Sequence, residues 1–188
     1  MKGLLIAVGA LVLLAVVIGG QLFSVKNQLV TQKNDIDGKF AEVDNAMKRR
    51  ADLIPNLVET VKGYAKQEKG VFDDIANARA GMLNAQSPED KIAANNTLSG
   101  ALGRLLVLTE NYPQLKSDQQ FMRLQDELSR TENRIAIARK DYNDAITKYN
   151  TNIELFPNSI AAALFGYHRN DAYFKTNEEE KKTPKVKF

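Results

Sequence analysis

The residues of this chain that could do chemistry are few. Histidine occurs once, at His168, and cysteine is absent. A carboxylate di-iron centre in a helical protein needs Glu-x-x-His on two helices, and a zinc site needs several His or Cys ligands. One histidine builds neither. A Ser-His-Asp triad would have to pass through His168 in a short C-terminal loop. The glycines are scattered and form neither a P-loop nor a GxGxxG turn. Without cysteine there are no disulfides, no thiolate metal sites and no cysteine nucleophile. The chain reads as a non-enzyme, with no cofactor and no metal.

The remaining polar residues cluster. Arg49, Asp52, Asn56 and Glu59 follow one another at spacings of 3, 4 and 3, which places them on one helix face beside Pro55. Arg50 adjoins them, and Glu110, Glu132 and Arg139 fall on helices expected to run alongside. One use of such residues is a buried or half-buried polar network that sets helix register and satisfies the groups Pro55 frees. The other is a docking face for a partner or a small ligand. Tyr112, Tyr142 and Tyr149 read as core aromatics whose hydroxyls need hydrogen-bond partners.

These residues depend on the elements that hold them, and the first element dominates. Residues 3–25 read GLLIAVGALVLLAVVIGGQLFSV, without one Asp, Glu, Lys or Arg. An apolar helix of about 20 residues spans a bilayer core of about 30 Å. A secretory signal has an apolar region of only about 7–15 residues and ends at small residues. This run is longer, and bulky Val17 and Ile18 precede its one late small pair, Gly19-Gly20. Residues 1–25 are therefore expected to be an uncleaved transmembrane signal anchor.

Beyond it the helical period continues. Val25, Leu29, Ile36, Phe40, Val43 and Met47 recur at 4, 7, 4, 3 and 4, close to a heptad seam. The stripe resumes at Ile54, Leu57 or Val58, Val61, Ala65, Val71 or Phe72, Ile75 and Met82, with a kink or short break predicted at residues 52–55 because proline removes an intrahelical bond. Ser87, Pro88, Glu89 and Asp90 make a helix start. The helix shows Ile92, Leu98, Leu102, Leu105, Leu106 and Tyr112 and is expected to end at Pro113. Ser117-x-x-Gln120 reads as a capping box for a third helix, whose stripe runs Phe121, Leu124, Leu128, Thr131, Ile135, Ala138, Tyr142, Ala145, Tyr149 and Asn152. Phe156-Pro157 stops it. A short helix over residues 160–165 follows, then a charged tail over residues 175–188 expected to be disordered. No strand pattern survives. The expected fold is all-α: the anchor, then a domain over residues 26–174 that forms an elongated antiparallel bundle of three long helices plus a short C-terminal one.

The block Arg49-Arg50-Ala51-Asp52-Leu53-Ile54-Pro55-Asn56-Leu57-Val58, continued by Glu59-Thr60-Val61-Lys62-Gly63-Tyr64-Ala65, resembles the signature of the LemA family of bacterial membrane proteins. Phe72 with Ala78-Arg79 is similar to that family's F-x-x-x-x-x-A-R element. Glu110-Asn111-Tyr112-Pro113-x-Leu115-Lys116 is similar to the next. Thr131-Glu132-Asn133-Arg134-Ile135 with Arg139, Tyr142-Asn143, Tyr149-Asn150 and Phe156-Pro157 resembles its third helix. The likeness covers nearly all of residues 24–174. It implies an N-terminal transmembrane helix with a helical-bundle domain. It implies no enzymatic activity, and it carries no catalytic or ligand residues over to this chain.

Net charge is +3 with acids and bases mixed throughout, which is no nucleic-acid signature. Two functional expectations remain. In the first, the chain is a scaffold of the bacterial envelope that self-associates, with residues 26–47, through Ile36, Phe40, Val43 and Met47, meeting a second copy. In the second, it is a monomer that docks another envelope protein on the face around Arg49, Arg50, Asp52, Asn56 and Glu59. The expected setting is the bacterial inner membrane, crossed once. Lysine counts across the anchor slightly favour a cytoplasmic body, but long domains translocate largely regardless of charge. The short N-terminal tail points to an extracytoplasmic one.

Overall fold

The computed structural model describes residues 1–174; the expected disordered tail lies outside the described residues. Every regular element among these is a helix: α1 (Lys2–Lys62), α2 (Lys69–Asn84), α3 (Pro88–Thr109), α4 (Pro113–Lys116), α5 (Gln119–Glu154) and α6 (Asn158–Phe165). The all-α reading holds. Its helix boundaries change in several places.

α1 is one helix of 61 residues that passes through Pro55 without a break. Proline at 55 has no N–H to offer the carbonyl four residues back, that of Ala51. Arg79 of α2 supplies the missing donor, its Nε lying 2.8 Å from the Ala51 carbonyl oxygen. The helix therefore continues through Pro55, and the chain breaks only at residues 63–68. There Gly63 follows Lys62 and the N–H groups of Tyr64 and Ala65 both turn back to the carbonyl of Val61. The long stripe expected over residues 54–82 is divided between α1 and α2.

α3 begins as expected: Ser87 Oγ accepts from the Asp90 N–H at 3.0 Å, with Pro88 in the first turn. It ends at Thr109, earlier than Pro113, and Pro113 opens the short α4. α5 is capped by Asp118, not by the expected box at Ser117. Asp118 Oδ1 accepts from the N–H groups of Gln120 and Phe121 at 2.8 and 2.9 Å, whereas Ser117 Oγ donates backwards to the carbonyls of Pro113 and Gln114. The other oxygen of Asp118 accepts from the Tyr64 hydroxyl at 2.8 Å. The Phe121 N–H first, and then the Tyr64 hydroxyl, hold the Asp118 carboxyl below its ordinary range. A depressed carboxylate contributes stability above its unfolded pKa and loses it as pH falls through the folded value. Asp118→Asn should thus be less stable than the parent at neutral pH, and the difference should shrink in urea melts taken below about pH 4. A difference that stays constant with pH would show that the charge is not what caps α5.

The chain divides into two compact units. The unit of residues 40–141, with residues 172–174, has an interior built by all its long helices. Val43, Met47, Ala51, Ile54, Leu57 and Val61 come from α1; Phe72, Ile75 and Met82 from α2; Leu98, Ala101 and Leu105 from α3; Phe121 and Ile135 from α5. Each fully buried Leu or Ile is worth about 1.5–3 kcal/mol. α2 and α3 run in opposite directions, with Asp74 near the start of one paired to Arg104 near the end of the other at 3.2 Å. Phe174 is buried in this unit, with the Arg139 guanidinium 5.1 Å from its ring centre.

The unit of residues 1–39 and 142–171 buries Leu29 and Ile36 of α1, Tyr142, Ile146, Tyr149 and Ile153 of α5, and Ala161 and Ala162 of α6. Polar bonds fix the segment after α6. The Asn150 side chain donates to the Asn170 carbonyl at 2.7 Å and accepts from its N–H at 2.9 Å. The Tyr149 hydroxyl finds its partner in the His168 carbonyl at 2.9 Å. α6 closes on Gly166 at φ 71°, a conformation that favours glycine because a Cβ would crowd the following carbonyl. The N-terminal part of α1 is different: every apolar side chain from Leu4 to Ile18 that is large is at least half exposed. α1 is long and apolar enough to cross a membrane, with a mean hydropathy of 2.7 in its most apolar stretch and none of that stretch buried.

Candidate functional site

Of the expected docking residues, Arg50 alone parts from the rest once the chain is folded. Arg49, Asp52, Asn56 and Glu59 face outward. Arg49 pairs with Glu127 of α5 at 2.5 Å, and Glu59 with Lys62 one turn on at 3.0 Å. The expected self-association stripe goes inward. Ile36, Val43 and Met47 are at most 4% exposed within a single chain, so they present no apolar face to a second copy. Phe40 is half-buried, with the Lys91 ammonium 6.0 Å from its ring centre; Lys91 itself pairs with Asp44 at 2.5 Å. Ile36, Val43 and Met47 of α1 are buried in the interior of the chain.

Arg50 is the residue that points in. It is 4% exposed and lies where α1, α3 and α5 converge. Its Nη1 is 2.7 Å from Glu132 Oε2 of α5 and 3.5 Å from Asn95 Oδ1 of α3. Its Nη2 donates to Ser99 Oγ at 2.9 Å, and that hydroxyl donates on to the Asn95 carbonyl at 3.0 Å. Burial pulls the guanidinium below its ordinary value, Glu132 pushes it back up, and the like charge of Arg139 pulls it down again. Asn95 is fully buried, and its Nδ2 has no hydrogen-bond partner among the described residues. An unpaired buried amide of this kind costs free energy.

A cavity of about 280 Å³ opens beside this network. Leu57, Leu102, Leu106 and Leu128 make its apolar walls, and Arg50, Ser99, Ser129 and Glu132 its polar end. Among the described residues no group of three or more His, Asp or Glu side chains could hold a metal ion. The arrangement suits recognition: an apolar group with an acceptor at its tip would meet leucines along its length and the Arg50 guanidinium at its end. The signal that separates Arg50 from Arg49 is the apolar stripe itself: position 50 falls three after Met47 and four before Ile54, on the inward face, and Arg49 falls off it.

Comparison with known proteins agrees with the residues quoted above. The sequence profile of the LemA family matches residues 39–188. Magnetosome protein MamQ 2 of Paramagnetospirillum magneticum is 27% identical over 175 residues, covering 79% of this chain and 64% of that protein. Protein LemA of Metamycoplasma hominis is 27% identical over 161 residues, covering 83% of this chain and 71% of its own. Magnetosome protein MamQ of Magnetospirillum gryphiswaldense is 25% identical over 169 residues, covering 76% and 62%. The chain thus spans less than two thirds of the length of the magnetosome relatives.

Proposed function

The chain belongs to the LemA family, and on that footing we propose that it is a non-enzymatic scaffold of the bacterial envelope, held in the inner membrane by α1, that docks an envelope protein at the Arg50 cavity. One observation carries the choice between docking and self-assembly: Ile36, Val43 and Met47, the side chains that would have met a second copy, are buried within one chain. What stays open to a partner is the cavity with its leucine walls and the guanidinium at its end. The unit that carries the cavity lies on the extracytoplasmic side in this reading. Self-assembly remains the second reading, carried by the exposed apolar stretch of α1 that lipid or another copy would cover.

The test is a native mass in mild detergent joined to site-specific photocrosslinking in intact membranes from a probe at Gln125, on the cavity lining. The expected result is a full-length monomer and one discrete heterologous adduct that Leu106→Lys abolishes. A large homogeneous particle that dissolves when the chain starts at Lys26, with adducts only to itself, would replace docking by self-assembly.

A further inference from the structure

α6 is apolar on the wrong side. Residues 155–167 read LFPNSIAAALFGY and contain no charged side chain. The small residues of α6, Ala161 and Ala162, face the interior at 0% and 3% exposure. The large ones face out. Ile160 and Leu164, four apart and so on one helix face, are 56% and 66% exposed, and on the turn that leads into the helix Phe156 is 81% exposed. A helix that is apolar all round belongs in a protein core or in lipid, and eight residues are too few to span a bilayer.

The position of α6 says which. Its last residue, Phe165, lies against Phe23 of α1, with ring centres 6.4 Å apart. The Lys26 ammonium lies over the same ring, 5.2 Å from its centre. Phe23 and Lys26 stand where the uncharged stretch of α1 ends and its charged part begins. The exposed face of α6 therefore continues the apolar surface of α1 on a second element. Lysine beside an aromatic ring is the arrangement that keeps an ammonium at headgroup level while its stem rests on apolar surface. Charge returns immediately outside the segment, where Arg169 bridges Glu154 and Asp171.

We infer that α6 and the turn before it form a second, monotopic membrane contact: Phe156, Ile160 and Leu164 sit in the boundary between headgroups and acyl chains of the bilayer that α1 crosses. The inference rests on the anchor reading of α1. Two contacts on one unit would hold it at a set tilt to the membrane, where one helix alone would leave it free to swing.

The chain has no cysteine, so single nitroxides can be placed at Leu13→Cys, Phe156→Cys, Leu164→Cys and Gln86→Cys in the full chain, in vesicles of phosphatidylcholine and phosphatidylglycerol. Collision with oxygen, which concentrates in lipid, is compared with collision with a water-soluble nickel chelate. Labels at 156 and 164 should meet the nickel chelate several-fold less than the label at 86 and should report a depth shallower than the label at 13. If 13 is in lipid while 156 and 164 are as open to nickel as 86, the second contact is overturned and the anchor stands. If 13 is also open to nickel, the anchor reading fails and this inference with it. Labels at 156 and 164 shielded from both colliders would mean that protein, a second copy, covers α6, which also overturns the lipid contact.

Discussion

Replacing Glu132 by alanine is expected to cost about 2 kcal/mol of stability, while replacing Glu127 costs less than about 0.5 kcal/mol. The two carboxylates lie five residues apart on α5 and pair with neighbouring arginines of α1 at 2.7 and 2.5 Å. Distance alone would rank them as equals. Burial separates them: Arg49 is 55% exposed, so water replaces its partner at little cost, whereas Arg50 is 4% exposed. Removing Glu132 leaves that guanidinium with Ser99 and Asn95 alone. The cost stays below the roughly 3–5 kcal/mol of a pair buried on both sides, because Glu132 is itself 51% exposed and its departure admits water. Urea unfolding of the full chain in detergent, read by far-ultraviolet circular dichroism, measures both. Equal losses at the two positions would mean that Arg50 is not buried as described.

The second large effect is a coupling between Pro55 and Arg79. Arg79→Gln should destabilise the chain by about 1–3 kcal/mol, since the Ala51 carbonyl would lose its charged donor and be left unpaired. In a Pro55→Ala background residue 55 regains an N–H, which bonds the Ala51 carbonyl within the helix as any α-helix does. The loss on Arg79→Gln should then fall by about 1 kcal/mol or more. Pro55→Ala alone should be neutral or stabilising, because a proline inside a helix costs about 3 kcal/mol. A double-mutant cycle in urea gives the coupling directly. Additive effects would show that Arg79 contributes through packing or its other surroundings and not through the bond to Ala51.

The membrane-capable stretch, the helical class and the start of α3 were legible in the sequence because each is written in local or periodic chemistry. Twenty-three uncharged residues at 3–25 need no partner to be recognised. Ser87 and Pro88 start a helix through bonds made within four residues. The ends of α1 and α5 were not legible in the same way. Pro55 breaks a helix in isolation; here it does not, because a donor 28 residues away in sequence meets the freed carbonyl. Ser117 and Asp118 are both good caps. The hydroxyl of Tyr64, 54 residues distant, is what gives Asp118 a partner for its second oxygen.

The same division holds for the site. Composition by itself determined that this chain has no cysteine for thiol chemistry and a single histidine, and the apolar period determined which positions of α1 and α5 fill an interior. Only tertiary structure decided that the interior belongs to one chain, that Arg50 meets Glu132 and Ser99 there, and that α6 turns its large residues outward beside the end of the apolar stretch. Periodicity fixes a face relative to its own helix axis. What that face meets depends on how the helices are turned toward one another, and that is set by contacts between residues far apart in the chain.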